Sequence, residues 1–96
     1  MRYYHRSSVT PDRVIELAAS YFGSRLAPVV EDRRHRTFSG ALGTLTLTVQ
    51  AEGGHYTLTT VGTDQPGESE LDKLAKRFLS ELHVLDHPDH ALRGAY

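Results

Sequence analysis

The sequence predicts an α+β fold: an antiparallel meander of three or four strands, flanked by an N-terminal and a C-terminal helix that pack on one sheet face. Two amphipathic helical patterns bracket a β-prone middle. Within that middle, residues 44–51 alternate strictly between apolar and polar side chains, as a half-buried strand does. A glycine pair then leads into a second β-prone run, which indicates a hairpin. The predicted element order is (β)-α-β-β-β-α.

A short strand and a helix open the chain. Residues 1–9 are polar but β-prone, which predicts the strand. The helix follows at about residues 10–23, where Thr10 is the N-cap candidate and Pro11 takes the first helical position. Apolar residues repeat at helical spacing through this segment, and Gly23 supplies a C-terminal stop.

The middle of the chain supplies the remaining strands. Residues 27–36 predict a strand whose polar end suits a sheet edge or a protruding hairpin, and residues 38–43 are ambiguous between a turn and a bulge. The strand at 44–51 points its apolar residues to one face and its threonines to the other. Residues 55–62 return antiparallel, with Leu58 expected in the core. The threonine face, which consists of Thr44, Thr46 and Thr48, has no predicted cover.

The second helix is predicted at about residues 68–86. Ser69 and Asp72 resemble a capping box, with Asp in place of the usual Glu. A well-formed apolar stripe follows at helical spacing. Pro88 should end the helix near His87, because the residue before a proline is disfavoured in α geometry.

Composition limits the class of protein. We expect one domain over residues 1–88 and a flexible tail at 89–96. A chain of this size buries only about two-thirds of its unfolded surface, so self-association would add stability. The absence of cysteine excludes disulfides, thiolate nucleophiles and cysteine-based metal sites. With no apolar segment of membrane-spanning or signal-peptide type, we expect a cytoplasmic protein.

The charge pattern argues against a dedicated nucleic-acid binder. The net charge is −1, although residues 1–48 carry seven arginines against four acidic residues and the second half is acidic. The basic run at 33–36 is interpreted as a charged edge strand that blocks unwanted pairing. The asymmetry would also suit complementary contacts between two copies.

In element order, the chain resembles a shortened helix-grip domain of the polyketide cyclase/START-like group. In that group an opening strand enters a helix at a Thr/Ser-Pro step, and a long C-terminal helix lies across the sheet. Val9-Thr10-Pro11-Asp12-Arg13-Val14 and Leu74-Ala75-Lys76-Arg77-Phe78-Leu79 carry this resemblance. The order is also similar to half of a TATA-box-binding-protein-like fold. Three or four strands are about half as many as a closed helix-grip pocket needs.

The densest group of potential metal ligands lies near the C-terminus. His83 and His87 are four residues apart and share one helix face, and His90 could complete a site after the Pro88 turn. A histidine near a helix C-terminus also interacts favourably with the dipole, which is the simpler interpretation. We therefore predict no required cofactor and keep this cluster as a hypothesis.

Two functional hypotheses follow. The first is a non-enzymatic interaction module that forms a homodimer through Thr44, Thr46 and Thr48. The second is a small-ligand-binding or enzymatic protein with a pocket between the sheet and the C-terminal helix, which two chains could share. Its polar lining would consist of Tyr21, Arg36, His55 and Tyr56. The sequence contains no nucleophile elbow, phosphate loop or zinc-protease helix, so the non-enzymatic hypothesis is favoured and a composite enzymatic site between two chains stays the alternative.

Overall fold

An antiparallel five-stranded sheet carries both helices on one face, so the predicted α+β class is confirmed. The computed structural model describes residues 1–86; the predicted tail at 89–96 lies outside the described residues. The order across the sheet is β1-β5-β4-β3-β2. No described helix is long and apolar enough to cross a membrane. The elements are β1 (Arg2–Ser7), α1 (Pro11–Gly23), β2 (Ala27–Asp32), β3 (His35–Gly40), β4 (Gly43–Glu52), β5 (Tyr56–Thr63) and α2 (Glu70–Asp86).

The sheet reaches five strands because the segment expected to form one strand at 27–36 contains a hairpin. Arg33 and Arg34 form the turn between β2 and β3. Arginine is not a residue that normally marks a turn, so the sequence contains no turn signal at this position. Both guanidinium groups lie near the Asp12 carboxylate in the first turn of α1, at 3.9 and 3.1 Å. The basic run therefore contacts the acidic helix start.

Both helices begin at the predicted caps. The Thr10 hydroxyl accepts a hydrogen bond from the Arg13 amide at 3.4 Å, and the Ser69 hydroxyl accepts one from the Asp72 amide at 3.1 Å. Each bond satisfies one of the four amides that a helix start leaves without an intrahelical partner. Beyond the C-terminus of α1, the Arg25 amide donates to the Phe22 carbonyl oxygen at 3.0 Å.

Three phenylalanines lock the helices to the sheet. The Phe22 ring of α1 lies 5.6 Å from that of Phe38 on β3 and 5.0 Å from that of Phe78 on α2. All three side chains are almost completely buried. Aromatic pairs at these distances add about 0.5–1.5 kcal/mol beyond the burial of their area. The core thus continues from α1 to α2 above the central strands.

The strand register corrects the expected position of Leu58. Glu52 pairs with Tyr56 across a three-residue loop, so odd-numbered residues of β4 lie opposite odd-numbered residues of β5. Leu47 consequently faces Val61, and both are fully buried. Leu58 pairs with Gln50 on the opposite side of the sheet and is only partly buried. The prediction that Leu58 belongs to the core was wrong, because loop length decides which face each residue takes.

The sheet therefore has two chemically distinct faces. We call the helix-packed side the covered face and the other side the open face. No described element packs over the open face. The side chains that β1, β5 and β4 present on this face, read from the strand register, are Arg2, Tyr4, Arg6, Leu58, Thr60, Gly62, Thr46, Thr48 and Gln50.

Candidate functional site on the open face

A groove runs along the open face between β1, β5 and β4. Its volume is about 460 Å³. Two cross-strand rows form most of it. One row places Arg2 beside Gly62, which pairs with Thr46. The other places Tyr4 beside Thr60, which pairs with Thr48. The full lining consists of Arg2, Tyr4, Thr46, Thr48, Gln50, Leu58, Thr60 and Gly62.

The groove walls combine hydrogen-bond donors with apolar surface. Arg2 supplies a guanidinium group, and threonine hydroxyls line the opposite wall on β4. Tyr4 is 59% exposed, which leaves its ring accessible. Leu58 contributes an aliphatic side chain. None of the lining residues is acidic, so the groove has the donor set of a site for an anion or a hydrogen-bond acceptor.

The nearest acidic group on this face is already paired. The Arg6 guanidinium donates to the Glu52 carboxylate at 2.6 Å. This hydrogen bond and the attraction of opposite charges raise the pKa of Arg6 above its ordinary value. By contrast, Arg2 makes no ion pair with a described residue. Arg2 is therefore the unneutralised cation of the groove.

The predicted interface threonines all lie on the open face. Thr46 and Thr48 line the groove, whereas Thr44 lies beyond it. Two of the three contact neighbours on β3. The Thr44 and Ser39 hydroxyls are 3.2 Å apart, and the Thr48 hydroxyl lies 3.3 Å from His35 Nδ1. The threonine face is thus a hydrogen-bonded surface next to the groove.

The four predicted ligand-binding residues are not brought together. Tyr21 packs against the rings of Phe22 and Phe78 at 5.1 and 5.7 Å, and burial raises the pKa of its phenol. Arg36 donates to the neighbouring His35 carbonyl oxygen. His55 lies in the β4–β5 turn, and Tyr56 is 57% exposed. None of the four lines the groove. Between α2 and the sheet, where the pocket was predicted, the space is filled by buried side chains of α2: Leu71, Ala75, Phe78, Leu79 and Leu82.

The predicted metal ligands are only partly described. The His83 ring packs edge-on against that of His5, with centroids 6.0 Å apart. His87 and His90 lie outside the described residues. Among residues 1–86, no group of three potential ligands is close enough to hold a metal ion. The histidine cluster stays a prediction.

A buried carboxylate joins β1, β5 and α2. Asp72 has no exposed surface and accepts hydrogen bonds from the Tyr3, Thr63 and Ser69 hydroxyls at 2.9, 2.8 and 2.6 Å. Burial alone would raise the pKa of Asp72, but these hydrogen bonds outweigh it and hold the pKa below its ordinary value. Burial and the Asp72 partner raise the pKa of Tyr3 to about 12. We interpret this group as a structural anchor, because all of its donors are used internally.

The sequence predicts the capping pair of this anchor but not its long-range partner. Ser69 and Asp72 were recognisable as a capping pair because they are three residues apart. Tyr3 is 69 residues away from Asp72, and only the pairing of β1 with β5 brings it there. The same pairing brings Arg2 and Tyr4 to the groove, and no local pattern signals it.

No family model matches the chain, and neither the curated proteins nor the solved structures contain a match to it.

Proposed function

We propose that the protein is a non-enzymatic interaction module that forms a homodimer through the open face. The uncovered sheet surface carries this proposal. It exposes Tyr4 and leaves Leu58 partly exposed beside a band of threonines. Exposed tyrosine and apolar side chains among polar groups are typical of protein interfaces.

The size of the open face suits a dimer. Five strands about 4.8 Å apart and roughly 20–30 Å long span about 600 Å² in projection. A standard interface buries about 800 Å² on each partner. Two such faces can pack about 10 Å apart with their strands nearly aligned, as in a β-sandwich. The small core of each chain gives the association an energetic reason.

The charges at the two sheet edges favour one arrangement. A two-fold axis parallel to the strands places β1 of one copy over β2 of its partner. On the open face, β1 presents Arg2, and β2 presents Asp32, which pairs with His35. The register places Asp32 in the same cross-strand row as Tyr4, one same-face position along the strands from Arg2, which is about 7 Å. The dimer would then contain two arginine–aspartate pairs, one at each edge of the interface. Such complementarity fixes register and orientation more than it adds affinity.

Replacing both Thr46 and Thr48 with lysine tests the proposal. Four ammonium groups would then lie at the centre of the dimer, where desolvation and like-charge repulsion oppose association. We expect the wild-type chain to sediment as a dimer at micromolar concentration and the double variant to sediment as a monomer. A wild-type monomer under these conditions would contradict the proposal.

Two control variants change the charge at other positions. Ser20 is exposed on α1, away from the sheet, so Ser20→Lys should leave the sedimentation coefficient unchanged. Asp32→Asn removes only the edge complementarity and should weaken the dimer by less than the double variant does. Thermal unfolding of each variant separates lost association from lost folding. If Ser20→Lys dissociates the dimer as well, the interface lies elsewhere.

A further inference from the structure

We propose that the groove between β1, β5 and β4 binds a small, flat anion with an apolar body, of the aromatic carboxylate class, and that Arg2 binds its carboxylate. The inference goes beyond the proposed homodimer, because a single chain forms the whole groove. Packing of a second copy on the open face would cover a bound molecule without supplying the site.

Gly62 is the first observation. Glycine inside a strand costs about 0.5–1 kcal/mol relative to alanine, so its presence needs a reason. Gly62 does not have a positive φ. A Cβ atom at this position would meet only the Met1 carbonyl oxygen, at 4.0 Å. Neither backbone conformation nor packing explains this glycine, whereas the groove does.

The missing side chain opens the floor of the groove between Arg2 and Thr46. These residues lie on either side of Gly62 in one cross-strand row. Their strands are two spacings apart, about 10 Å. An aromatic ring system fits between them with its plane along the groove. A strand glycine that permits close approach of a ligand is a recurrent use of the residue.

The polar groups select the charge of the ligand. Arg2 has no ion-pair partner among the described residues, and its fork of donors matches a carboxylate. Hydroxyl groups of Thr46, Thr48 and Thr60 add neutral donors along the groove. Because the lining contains no acidic residue, no repulsion opposes an anion.

The rest of the groove lining suits the apolar part of the ligand. Tyr4 presents a ring at the β1 edge, and Leu58 presents an aliphatic surface on β5. The volume of about 460 Å³ falls within the range of small-molecule sites. An offset stack on Tyr4 would hold an aromatic ligand while its carboxylate reaches Arg2.

Two probes of the same shape test the charge requirement. The first is 2-naphthoate, and the second is 2-naphthalenemethanol, which lacks the charge. Titrations followed by amide chemical shifts should show naphthoate binding at least about 10-fold more tightly, with the largest shifts on β1, β5 and β4. Arg2→Gln should reduce that preference to near unity. Equal binding of both probes to the wild-type chain, or shifts confined to other elements, would overturn the proposal.

Filling the groove tests the role of Gly62. Gly62→Val should reduce the affinity for 2-naphthoate at least about 10-fold while the unfolding temperature stays the same or rises, because valine is a better strand former. Ser20→Lys lies on α1, outside the groove, and should leave the affinity unchanged. Undiminished binding to folded Gly62→Val would refute the site. Sedimentation of the same samples distinguishes this failure from a failure of the homodimer.

Discussion

The covered and open faces of the sheet are built from the same strands, and they differ in what holds their side chains. On the covered face, Leu45, Leu47 and Val49 pack under two helices and are buried. On the open face, the intervening threonines of β4 contact a serine hydroxyl or a histidine ring on β3, or they line the groove. Substitutions on the covered face should destabilise the fold, whereas substitutions on the open face should have little effect on its stability. A binding site is therefore expected on the open face, where substitution is tolerated and the surface is still well formed.

Strand β5 shows this division within one element. Thr57, Thr59 and Val61 point to the helices, whereas Leu58 and Gly62 point away from them. Two threonines are thus buried and a leucine is left partly exposed, which reverses the usual preference. A leucine placed against its preference on the open face is consistent with a surface that contacts another molecule.

The largest expected effect separates two leucines on the two faces. Leu47→Ala should lower the free energy of unfolding by about 3 kcal/mol, because a fully buried side chain leaves a cavity. At protein concentrations low enough for the chain to be monomeric, Leu58→Ala should lower it by about 1 kcal/mol or less, because this side chain is only partly buried within one chain. Urea unfolding of both variants measures the difference. The Leu58→Ala loss should grow at higher protein concentrations, where a second copy covers the open face. Equal losses for the two variants in the monomer would contradict the assignment of Leu58 to an open surface.

The leucine pair also shows what the sequence could predict. The helices and β4 were predictable because apolar residues recur there at regular spacing over several turns or alternations. Their caps, Thr10 and Ser69, were predictable from residue type and position. The face of Leu58 was not, because both alternating sets of β5 contain an apolar residue and the loop decides between them.

An intermediate effect is expected for the carboxylate that anchors α2 to the sheet. Asp72→Asn should lower the free energy of unfolding at pH 7 by about 2 kcal/mol, because hydrogen bonds to a buried charged group become bonds to a neutral amide. The pKa of Asp72 is lowered in the folded state from an ordinary value of 3.8. Its contribution is therefore complete above that value and is lost as the pH falls through the folded pKa.

Urea unfolding between pH 7 and pH 2 checks this sign. The difference in the free energy of unfolding between wild type and Asp72→Asn should be constant above about pH 5 and should shrink below the ordinary carboxyl pKa. Tyr3→Phe is the matched variant, since it removes one of the three donors and keeps the ring. It should raise the pKa of Asp72 and move the loss of stability to higher pH. A difference that stays unchanged down to pH 2 would show that Asp72 is not held as a carboxylate.

The groove could not be predicted in the same way as the fold. Arg2 and Tyr4 come from the first strand, and Gly62 comes from the last. They meet because β1 pairs with β5 in an antiparallel register, and nothing in a window of ten or fifteen residues specifies that pairing. Thr46 and Thr48 were recognised because alternation within one strand identifies a face. A groove across strands depends on register, which emerges only from the assembled sheet.

The smallest expected effect compares a glycine on each face. A Cβ atom at Gly40 would lie 3.0 Å from Leu26 Cδ2 on the covered face, so Gly40→Ala should lower the free energy of unfolding by about 1 kcal/mol through overpacking. A Cβ atom at Gly62 would meet only the Met1 carbonyl oxygen, at 4.0 Å, and Gly62→Ala should raise the free energy of unfolding by about 0.5 kcal/mol, because the unfolded chain loses freedom. Urea unfolding measures both changes, and the opposite signs are the test. If Gly62→Ala in the monomeric chain is destabilising by as much as Gly40→Ala, then the groove is covered within one chain, which would contradict both proposals for the open face.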